Sequence, residues 1–253
     1  MTHSIELFSL PADAPRRLAG KATVAVDVLR AGTTIITALE NGAASLKPCI
    51  DIETTRHSAA ENLNSLLGGE RQGLMISGFD LSNSPESYQP QIVAGRQICF
   101  TTTNGTKAIE ASRTSDVILI GSFINLTAVC RRLEQLQLPI SIICAGTDGD
   151  PTLEDNLFGG AICEWFTQKK KVQMNPAAFA AREMWRTAIR QRDLGVSLCE
   201  TLCHTQGGKN LVKLNLAPDI EFAAAIDRFS ILPIFDPRTG LIGTDVDLNG
   251  GPR

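Results

Sequence analysis

The feature that most constrains this chain is a regular alternation between short runs rich in β-branched residues and longer segments of helical periodicity. Thr23 to Val28 predicts a buried strand, and further strands are predicted at 45–52, 74–77, 98–103, 117–120, 140–144 and 231–235. Helical patterns lie between them, near 33–41, 54–67, 105–112, 124–137 and 153–170. Strands that alternate with helices predict a layered α/β/α fold, with a mostly parallel sheet covered on both faces.

The pattern changes after residue 170, where helical segments follow one another. Asn175 and Pro176 are typical of a helix start, with Asn as the cap and Pro at the first helical position. This helix is predicted to reach about Gln191, and two more are predicted near 194–203 and 216–228. We therefore expect a single domain over 1–253 with a helix-rich C-terminal third, in which 171–230 forms either a further layer or a subdomain.

Composition excludes several classes of protein. Of the 253 residues, 43% are apolar and 20% are charged, which suits a folded core and argues against disorder. No apolar run reaches 18 residues and no secretory signal is evident, so we expect no membrane span. The net charge of −3 argues against a general affinity for nucleic acid. Any anionic ligand must then be bound by a local site.

The cysteines indicate a reducing compartment. Seven of them, an odd number, lie mostly inside apolar runs, which is typical of reduced, buried thiols in a cytoplasmic protein. Cys199 and Cys203 have the i,i+4 spacing of a helical metal pair, and His204 follows them. A closed zinc site needs four ligands, and the sequence offers no partners for these two, so packing is the favoured interpretation.

Five polar loops follow the predicted strands. Ligands of parallel α/β sheets bind beyond the carboxyl ends of the strands. The loops contain residues 27–34, 78–86, 101–107, 121–125 and 145–156. Helix capping could explain any single loop, and Thr152 with Asp155 has the spacing of a capping pair. Five such loops at one sheet edge favour a shared pocket instead.

The chemistry of these loops suits a phosphate and a metal ion. Their Gly, Thr and Asn residues offer backbone N–H groups and hydroxyls to phosphate oxygens. Their carboxylates are the hard oxygen ligands that Mg²⁺ prefers, and the acidic residues are Asp27, Asp80, Asp148, Asp150, Glu154 and Asp155. Familiar alternatives are absent: the sequence has no P-loop, no G-x-G-x-x-G after a strand and no Cys-x₅-Arg. Residues 245–250 imitate the start of a calcium loop, but the chain ends before the distal Glu.

In order along the chain, these loops resemble a known family. The matching segments are Val26-Asp27-Val28-Leu29-Arg30-Ala31, Gly78-Phe79-Asp80-Leu81-Ser82-Asn83-Ser84-Pro85, Thr101-Thr102-Thr103-Asn104-Gly105-Thr106, Gly121-Ser122-Phe123-Ile124-Asn125, and Cys144-Ala145-Gly146-Thr147 with Leu153-Glu154-Asp155. They are similar to the 2-phosphosulfolactate phosphatase family of the ComB type, most clearly from about 22 to 165. The resemblance implies a Mg²⁺-dependent phosphatase that converts (R)-2-phospho-3-sulfolactate to 3-sulfolactate on a route to coenzyme M.

We therefore predict a cytoplasmic phosphoric monoester hydrolase that acts on a small, multiply anionic hydroxy acid, with Mg²⁺ as cofactor. Asp27 and Arg30 are the predicted catalytic residues, with Arg30 clamping the phosphate or an acid group. The predicted substrate-binding residues are Thr33, Thr34, Ser82, Asn83, Thr103, Asn104, Gly105, Thr106, Ser122 and Asn125. Asp27, Glu154 and Asp155 are the predicted metal ligands.

Three alternatives stay open at this point. Asp27 could attack phosphorus itself or could act on an attacking water. It could also be structural, as an ion-pair partner of Arg30 or as the cap of the helix that begins near Thr33. The same pocket could belong to a lyase or mutase, or to a non-catalytic protein that only binds anions. The sequence allows a homo-oligomer but does not specify one.

Overall fold

A computed structural model describes residues 3–169 and 171–244, and its strands form one mixed, mostly parallel sheet. The strands are β1 (His3–Phe8), β2 (Ala22–Val26), β3 (Ser45–Pro48), β4 (Ser65–Arg71), β5 (Leu74–Met75), β6 (Gln97–Thr101), β7 (Val117–Gly121), β8 (Ile140–Cys144), β9 (Val172–Met174), β10 (Pro233–Asp236) and β11 (Leu241–Thr244).

Helices cover the sheet. They are α1 (Ala31–Glu40), α2 (Ile52–Ala60), α3 (Pro90–Val93), α4 (Gly105–Ala111), α5 (Leu126–Leu136), α6 (Leu153–Thr167), α7 (Pro176–Asp193), α8 (Leu198–Cys203), α9 (Gln206–Lys213) and α10 (Ala217–Ala223). The α/β class predicted from the alternating pattern is confirmed. Among the described residues, no helix combines the length and the apolar character needed to cross a bilayer.

The sheet consists of two parallel groups joined by an antiparallel hairpin, and β5 pairs antiparallel with β4 at one edge. One group has the order β9-β1-β8-β2-β7 and the other has the order β3-β6-β4. The hairpin β10–β11 lies between β7 and β3, and its strands are antiparallel to both neighbours. The two groups therefore run in opposite directions. A flat sheet would place their carboxyl ends at opposite edges.

A shared core brings these two carboxyl edges together. Ala25 of β2 and Ile98 of β6, one from each group, belong to a single buried cluster with Ile35 of α1 and Ile109 of α4. Successive strand residues point to opposite faces, so Val24 and Val26 instead join the cluster formed by α5, α6 and α7. The sheet thus curls around α1 and α4. The five loops were expected at one edge of a parallel sheet, and curling is what makes them meet.

The structure corrects several predicted boundaries. The helix expected over 54–67 ends at Ala60, and β4 begins at Ser65. Strand 45–52 is shorter than expected, because β3 ends at Pro48 and Asp51 caps α2 through the Thr54 N–H. The sequence patterns also missed strands β1, β4, β9 and β11. The start of α7 at Pro176, capped by the Asn175 side chain, is confirmed.

The C-terminal helices pack against the sheet core. Leu202 of α8, Leu211 of α9 and Ile220 of α10 are buried in the same cluster as β2 and β8. The stretches predicted as helices at 194–203 and 216–228 contain α8 and α10, and the patterns missed α9 between them. Residues 245–250, which imitate a calcium loop in the sequence, lie outside the described residues. The seven cysteines form no disulfide, and five of them are buried.

Candidate active site

A cavity of about 350 Å³ lies where the two carboxyl edges meet. Five predicted residues line it: Asp27, Arg30, Asn83, Thr103 and Asn104. Six further polar residues of the lining were not among the predicted site residues: Glu70, Gln72, Thr147, Asp148, Asn210 and Lys213. The walls come from the ends of β2, β4, β6 and β8 and from α9, which closes the cavity from the C-terminal third.

Asp27 is held at the end of β2 beside the loop that follows β6. The N–H of Ala31, at the start of α1, donates to its carboxylate, and its backbone carbonyl accepts from the N–H of Gly32 at 2.8 Å. A Cβ atom on Gly105 would come within 2.6 Å of Asp27 Oδ2. Residue 105 is therefore glycine because the two loops touch there.

The surroundings of Asp27 move the pKa of its carboxyl group into the neutral range. Burial is the largest cause, and the nearby charges of Glu70 and Glu154 add to it. The bond from Ala31 and the charge of Arg30 act in the opposite direction, and the net effect raises the pKa of Asp27 to about 7. A carboxyl group with such a pKa can hold or release a proton near neutral pH, as acid–base chemistry requires.

Two more carboxylates lie at the start of α6. Asp155 accepts from the N–H of Val28 at 2.9 Å and from the N–H of Gly146 at 3.1 Å, so it joins the loops after β2 and β8. Glu154 accepts from Thr205 and from the N–H of Gly207 near the start of α9. Burial raises the pKa of both groups. The alternative that Thr152 and Asp155 form a capping pair is wrong, since the Thr152 hydroxyl makes no cap bond and Asp155 bonds elsewhere.

Arg30 is paired with Asp219 of α10 and not with Asp27. Its Nη1 donates to Asp219 Oδ2 at 2.7 Å, and its Nη2 donates to the carbonyl of Gly73, also at 2.7 Å. Ser84 donates to the other oxygen of Asp219 at 2.6 Å. The interpretation of Asp27 as the ion-pair partner of Arg30 is therefore wrong, although Asp27 does bond the first turn of α1.

Glu70 connects this pair to the loop after β6. Its Oε2 accepts from the N–H of Gly73 and its Oε1 accepts from the N–H of Thr103, each at 2.7 Å. A chain of hydrogen bonds thus runs from Asp219 through Arg30, Gly73 and Glu70 to Thr103 along one wall of the cavity. The sequence patterns did not predict Glu70, because the helix predicted over 54–67 overlaps the start of β4, the strand that carries it.

Several buried polar atoms in the loops around the cavity have no hydrogen-bond partner in the protein. They include Asn83 Oδ1, Thr103 Oγ1 and Glu154 Oε2, and the first two belong to the cavity lining. Buried polar groups are nearly always hydrogen-bonded, so such atoms indicate where a ligand or water completes the structure. These three atoms occur in the loops after β6 and β8 and in the polar loop before α3, where the sequence predicted a pocket.

Other predicted binding residues hold the loops together and do not line the cavity. Thr33 donates to the Val28 carbonyl at 2.8 Å and lies 2.7 Å from Ser122 Oγ. Asn125 accepts from the Ser122 N–H and donates to two backbone carbonyls. The hydroxyls of three further residues bond within their own loops or to a neighbouring one: Thr34, Ser82 and Thr106. Direct substrate contact by these six residues stays a prediction.

Comparison with known proteins shows which protein family this chain belongs to. The family described as 2-phosphosulpholactate phosphatase matches residues 8–237. The chain is 40% identical over 221 residues to a probable 2-phosphosulfolactate phosphatase of Symbiobacterium thermophilum, covering 86% of this chain and 92% of that protein. This chain belongs to the 2-phosphosulfolactate phosphatase family.

Further relatives carry the same name. A probable 2-phosphosulfolactate phosphatase of Clostridium tetani is 33% identical over 227 residues, covering 89% of this chain and 93% of that protein. One of Thermotoga maritima is 37% identical over 213 residues, covering 84% and 88%. The family resemblance seen in the five loops is confirmed. So is the enzyme class, since the family is one of phosphoric monoester hydrolases.

The carboxylates near Asp27 fit a hard divalent cation that is held by only one or two protein ligands. Among the described residues no three His, Cys, Asp or Glu side chains converge on one point, so a cage of protein ligands is absent. Asp27 is nevertheless crowded by Glu70 and Glu154, and Glu154 Oε2 is buried without a partner. Mg²⁺ is commonly held by one or two carboxylates together with water and substrate phosphate, and this arrangement allows it.

Proposed function

We propose that this protein is a Mg²⁺-dependent phosphatase that hydrolyses 2-phospho-3-sulfolactate, or a closely related phosphorylated hydroxy acid, to 3-sulfolactate and phosphate. Family membership and the names of the relatives support the reaction. The observation that carries the proposal is Asp27, a cavity carboxylate at the end of β2 whose pKa is raised to about 7. The cavity of about 350 Å³ is the size of a small-molecule site.

Asp27 is the residue that we place at the reacting phosphorus. As a nucleophile its carboxylate would attack phosphorus, expel the hydroxy acid and form an aspartyl phosphate that water then hydrolyses. As a general base it would take a proton from the attacking water. The two routes differ in outcome, because a double displacement retains the configuration of a chiral phosphate and a single displacement inverts it. Reduction with borohydride would also convert an aspartyl phosphate at residue 27 to homoserine.

The loop after β6 is the proposed phosphate cradle. Thr103 and Asn104 line the cavity, and the Thr103 hydroxyl has no protein partner. Glu70 holds the Thr103 N–H, so the loop is fixed before the substrate arrives. Asn83 lies across the cavity lining with a free amide oxygen, and reversing its amide would present N–H donors to the same ligand. These groups recognise phosphate without adding a net charge.

Asp27 and Glu154 are the residues that would hold Mg²⁺. When bound, the ion would neutralise the phosphoryl charge that these carboxylates otherwise repel. Asp155 uses both oxygens to fix the loops after β2 and β8, and an additional bond from it to the metal stays a prediction. Arg30, paired with Asp219, keeps its remaining N–H groups for an acid group of the substrate.

A phosphate-release screen tests this function. Wild-type enzyme is incubated with a panel of phosphorylated hydroxy acids, with Mg²⁺ and after chelation by EDTA. We expect multiple turnovers on 2-phospho-3-sulfolactate or a near relative, only with Mg²⁺ present. Consumption of the substrate without release of phosphate would instead indicate a lyase or mutase. Stoichiometric binding without turnover would indicate an anion-binding protein.

The setting of the reaction is part of the proposal. Release of 3-sulfolactate would place the enzyme on a route to coenzyme M, as the family resemblance implies. The free cysteines fit the expected cytoplasmic location.

A further inference from the structure

The cavity lining contains two cationic side chains that differ in their surroundings. Arg30 is buried, and Asp219 and the Gly73 carbonyl occupy two of its donors. Lys213, the last residue of α9, is exposed and has no ion-pair partner among residues 3–169 and 171–244. The charge of Arg30 is therefore already compensated by the protein. Lys213 is the cation of the lining whose charge no ion pair compensates among residues 3–169 and 171–244.

Helix α9 places Lys213 away from the acidic end of the cavity. Gly207, at its start, lies so close to Glu154 that a Cβ atom there would come within 2.1 Å of Glu154 Oε1. Lys213 follows six residues later, which is about 9 Å further along the helix axis. The neighbouring Leu214 packs on Gly73, whose carbonyl accepts from Arg30. Lys213 therefore lies toward the Gly73 wall and away from Glu154.

Two neutral polar residues accompany Lys213. Asn210 lines the cavity from the same helix, and Gln72 lines it from the turn between β4 and β5. Both residues of that turn, Gln72 and Gly73, have positive φ angles of 54° and 79°, as in a type I′ hairpin. A non-glycine residue is uncommon in this conformation, and here Glu70 and Arg30 hold the turn in place through Gly73. The turn thereby places Gln72 at the cavity edge.

We propose that Lys213, with Asn210 and Gln72, forms the subsite for a second acidic group of the substrate, and that this group is the sulfonate. The proposal rests on the proposed function, which supplies a substrate with both phosphate and sulfonate. In 2-phospho-3-sulfolactate the sulfonate lies one carbon further from the phosphate-bearing carbon than the carboxylate does. With phosphate at Asp27, the sulfonate is the acid group that extends further across the cavity that Asp27 and Lys213 both line.

The chemistry of the two cations fits this division. A guanidinium is a planar fork that matches a two-oxygen carboxylate, which suits Arg30. An ammonium is a compact charge with three donors on a flexible stem, which suits the three oxygens of a sulfonate. Hydrolysis itself needs no group at Lys213. The subsite therefore selects the substrate, and its loss should affect binding much more than turnover.

Lys213→Met tests the subsite, because Met keeps an unbranched stem and removes the charge. Lys209→Met is the matched control, since Lys209 is an exposed residue about one turn earlier on the same helix and outside the cavity lining. Both variants are assayed on 2-phospho-3-sulfolactate and on 2-phospholactate, which lacks the sulfonate. We expect Lys213→Met to raise KM for the sulfonated substrate by about 10- to 100-fold, the value of a hydrogen bond to a charged group.

The control substrate and the control variants each have an expected result. On 2-phospholactate Lys213→Met should match wild type, Lys209→Met should match wild type on both substrates, and Lys213→Arg should recover most of the lost affinity. Equal losses on both substrates, or none on either, would overturn the subsite while wild-type turnover still supports the phosphatase. If wild type hydrolyses neither substrate, the subsite is tested by calorimetric binding of 3-sulfolactate and of lactate. Only a preference for 3-sulfolactate that Lys213→Met abolishes would support the subsite.

Discussion

Arg30 and Asp219 form a buried ion pair across 189 positions of sequence, with Nη1 and Oδ2 2.7 Å apart and both side chains 3% exposed. The pair fixes α10 to the loop that carries Asp27. The Ser84 hydroxyl donates to the second carboxylate oxygen of Asp219, and Nη2 of Arg30 donates to the Gly73 carbonyl. The C-terminal helices therefore complete the cavity through a contact that is both charged and nearly dry.

Removing one member of this pair should cost stability and activity together. Asp219→Asn leaves the Arg30 charge buried with reduced compensation, and breaking a buried pair typically costs about 3–5 kcal/mol of unfolding free energy. Urea denaturation measures this loss. Glu6→Gln is the control, because Glu6 pairs with Lys21 at a half-exposed site worth at most about 1 kcal/mol. An Asp219→Asn variant as stable as wild type would mean that the pair contributes nothing to the fold.

Asp27→Asn should abolish most of the turnover while leaving a folded protein. The amide can still accept the Ala31 N–H but can neither attack phosphorus nor accept a proton. We expect kcat to fall by at least about 10³-fold, or about 4 kcal/mol of transition-state stabilisation. Steady-state phosphate release and circular dichroism check both parts. A folded variant that keeps a tenth of wild-type turnover would remove Asp27 from the centre of the chemistry.

Mg²⁺ affinity should increase with pH around neutrality. The raised pKa of Asp27, about 7, means that the cation must displace a proton below that pH. We expect the Kd for Mg²⁺ to decrease by up to about tenfold per pH unit from pH 6 to pH 7 and to level off above pH 8. Calorimetric titration with Mg²⁺ in two buffers of different ionisation enthalpy measures how many protons are released when the ion binds. Asp27→Asn should show no such proton release, and a pH-independent Kd in wild type would contradict the prediction.

The cysteines should be dispensable for catalysis. Cys99 and Cys144 are fully buried, and burial raises the pKa of Cys99 to about 11 and that of Cys144 well above its ordinary value. Thiols in this state are poor nucleophiles. Replacing either by Ala should lower stability by about 1 kcal/mol and change kcat less than twofold. A thiol reagent should react first with the half-buried Cys199 and Cys203, and rapid inactivation through Cys99 or Cys144, prevented by substrate, would contradict this.

The sequence predicted the parts of this site that short local patterns specify. Asp27, Thr103 and Asn104 follow strands with strong β-branched patterns, so their position at a carboxyl end could be deduced. Glu70 could not, because β4 contains four polar or glycine residues after Leu67 and has neither helical nor strand periodicity there. The pairing of Arg30 with Asp219 depends on how α10 packs, which no spacing between residues 30 and 219 encodes. The curling of the sheet likewise depends on a hairpin that joins two distant groups of strands.

Asp27 should also make the metal-free protein less stable as the pH rises. Its pKa is 3.8 in an unfolded chain and about 7 in the folded state, so between these values the folded state keeps a proton that the unfolded state has lost. The stabilising contribution is complete below pH 3.8 and is lost as the pH rises through 7. A shift of about three pKa units corresponds to at most about 4 kcal/mol. Asp27→Asn should therefore have a flatter dependence on pH and exceed wild type in stability at pH 8.

Urea denaturation in EDTA at intervals from pH 4.5 to pH 8.5 measures this dependence, and the difference between wild type and variant isolates residue 27. Asp150→Asn is the control, since Asp150 is exposed on the loop after β8 and does not line the cavity. Glu70→Gln should reduce the wild-type slope without removing it, because Glu70 is one of the charges that raise the pKa of Asp27. Parallel stability curves for wild type and Asp27→Asn would show that residue 27 is ionised throughout, and the crowding of carboxylates around it would then have no energetic effect.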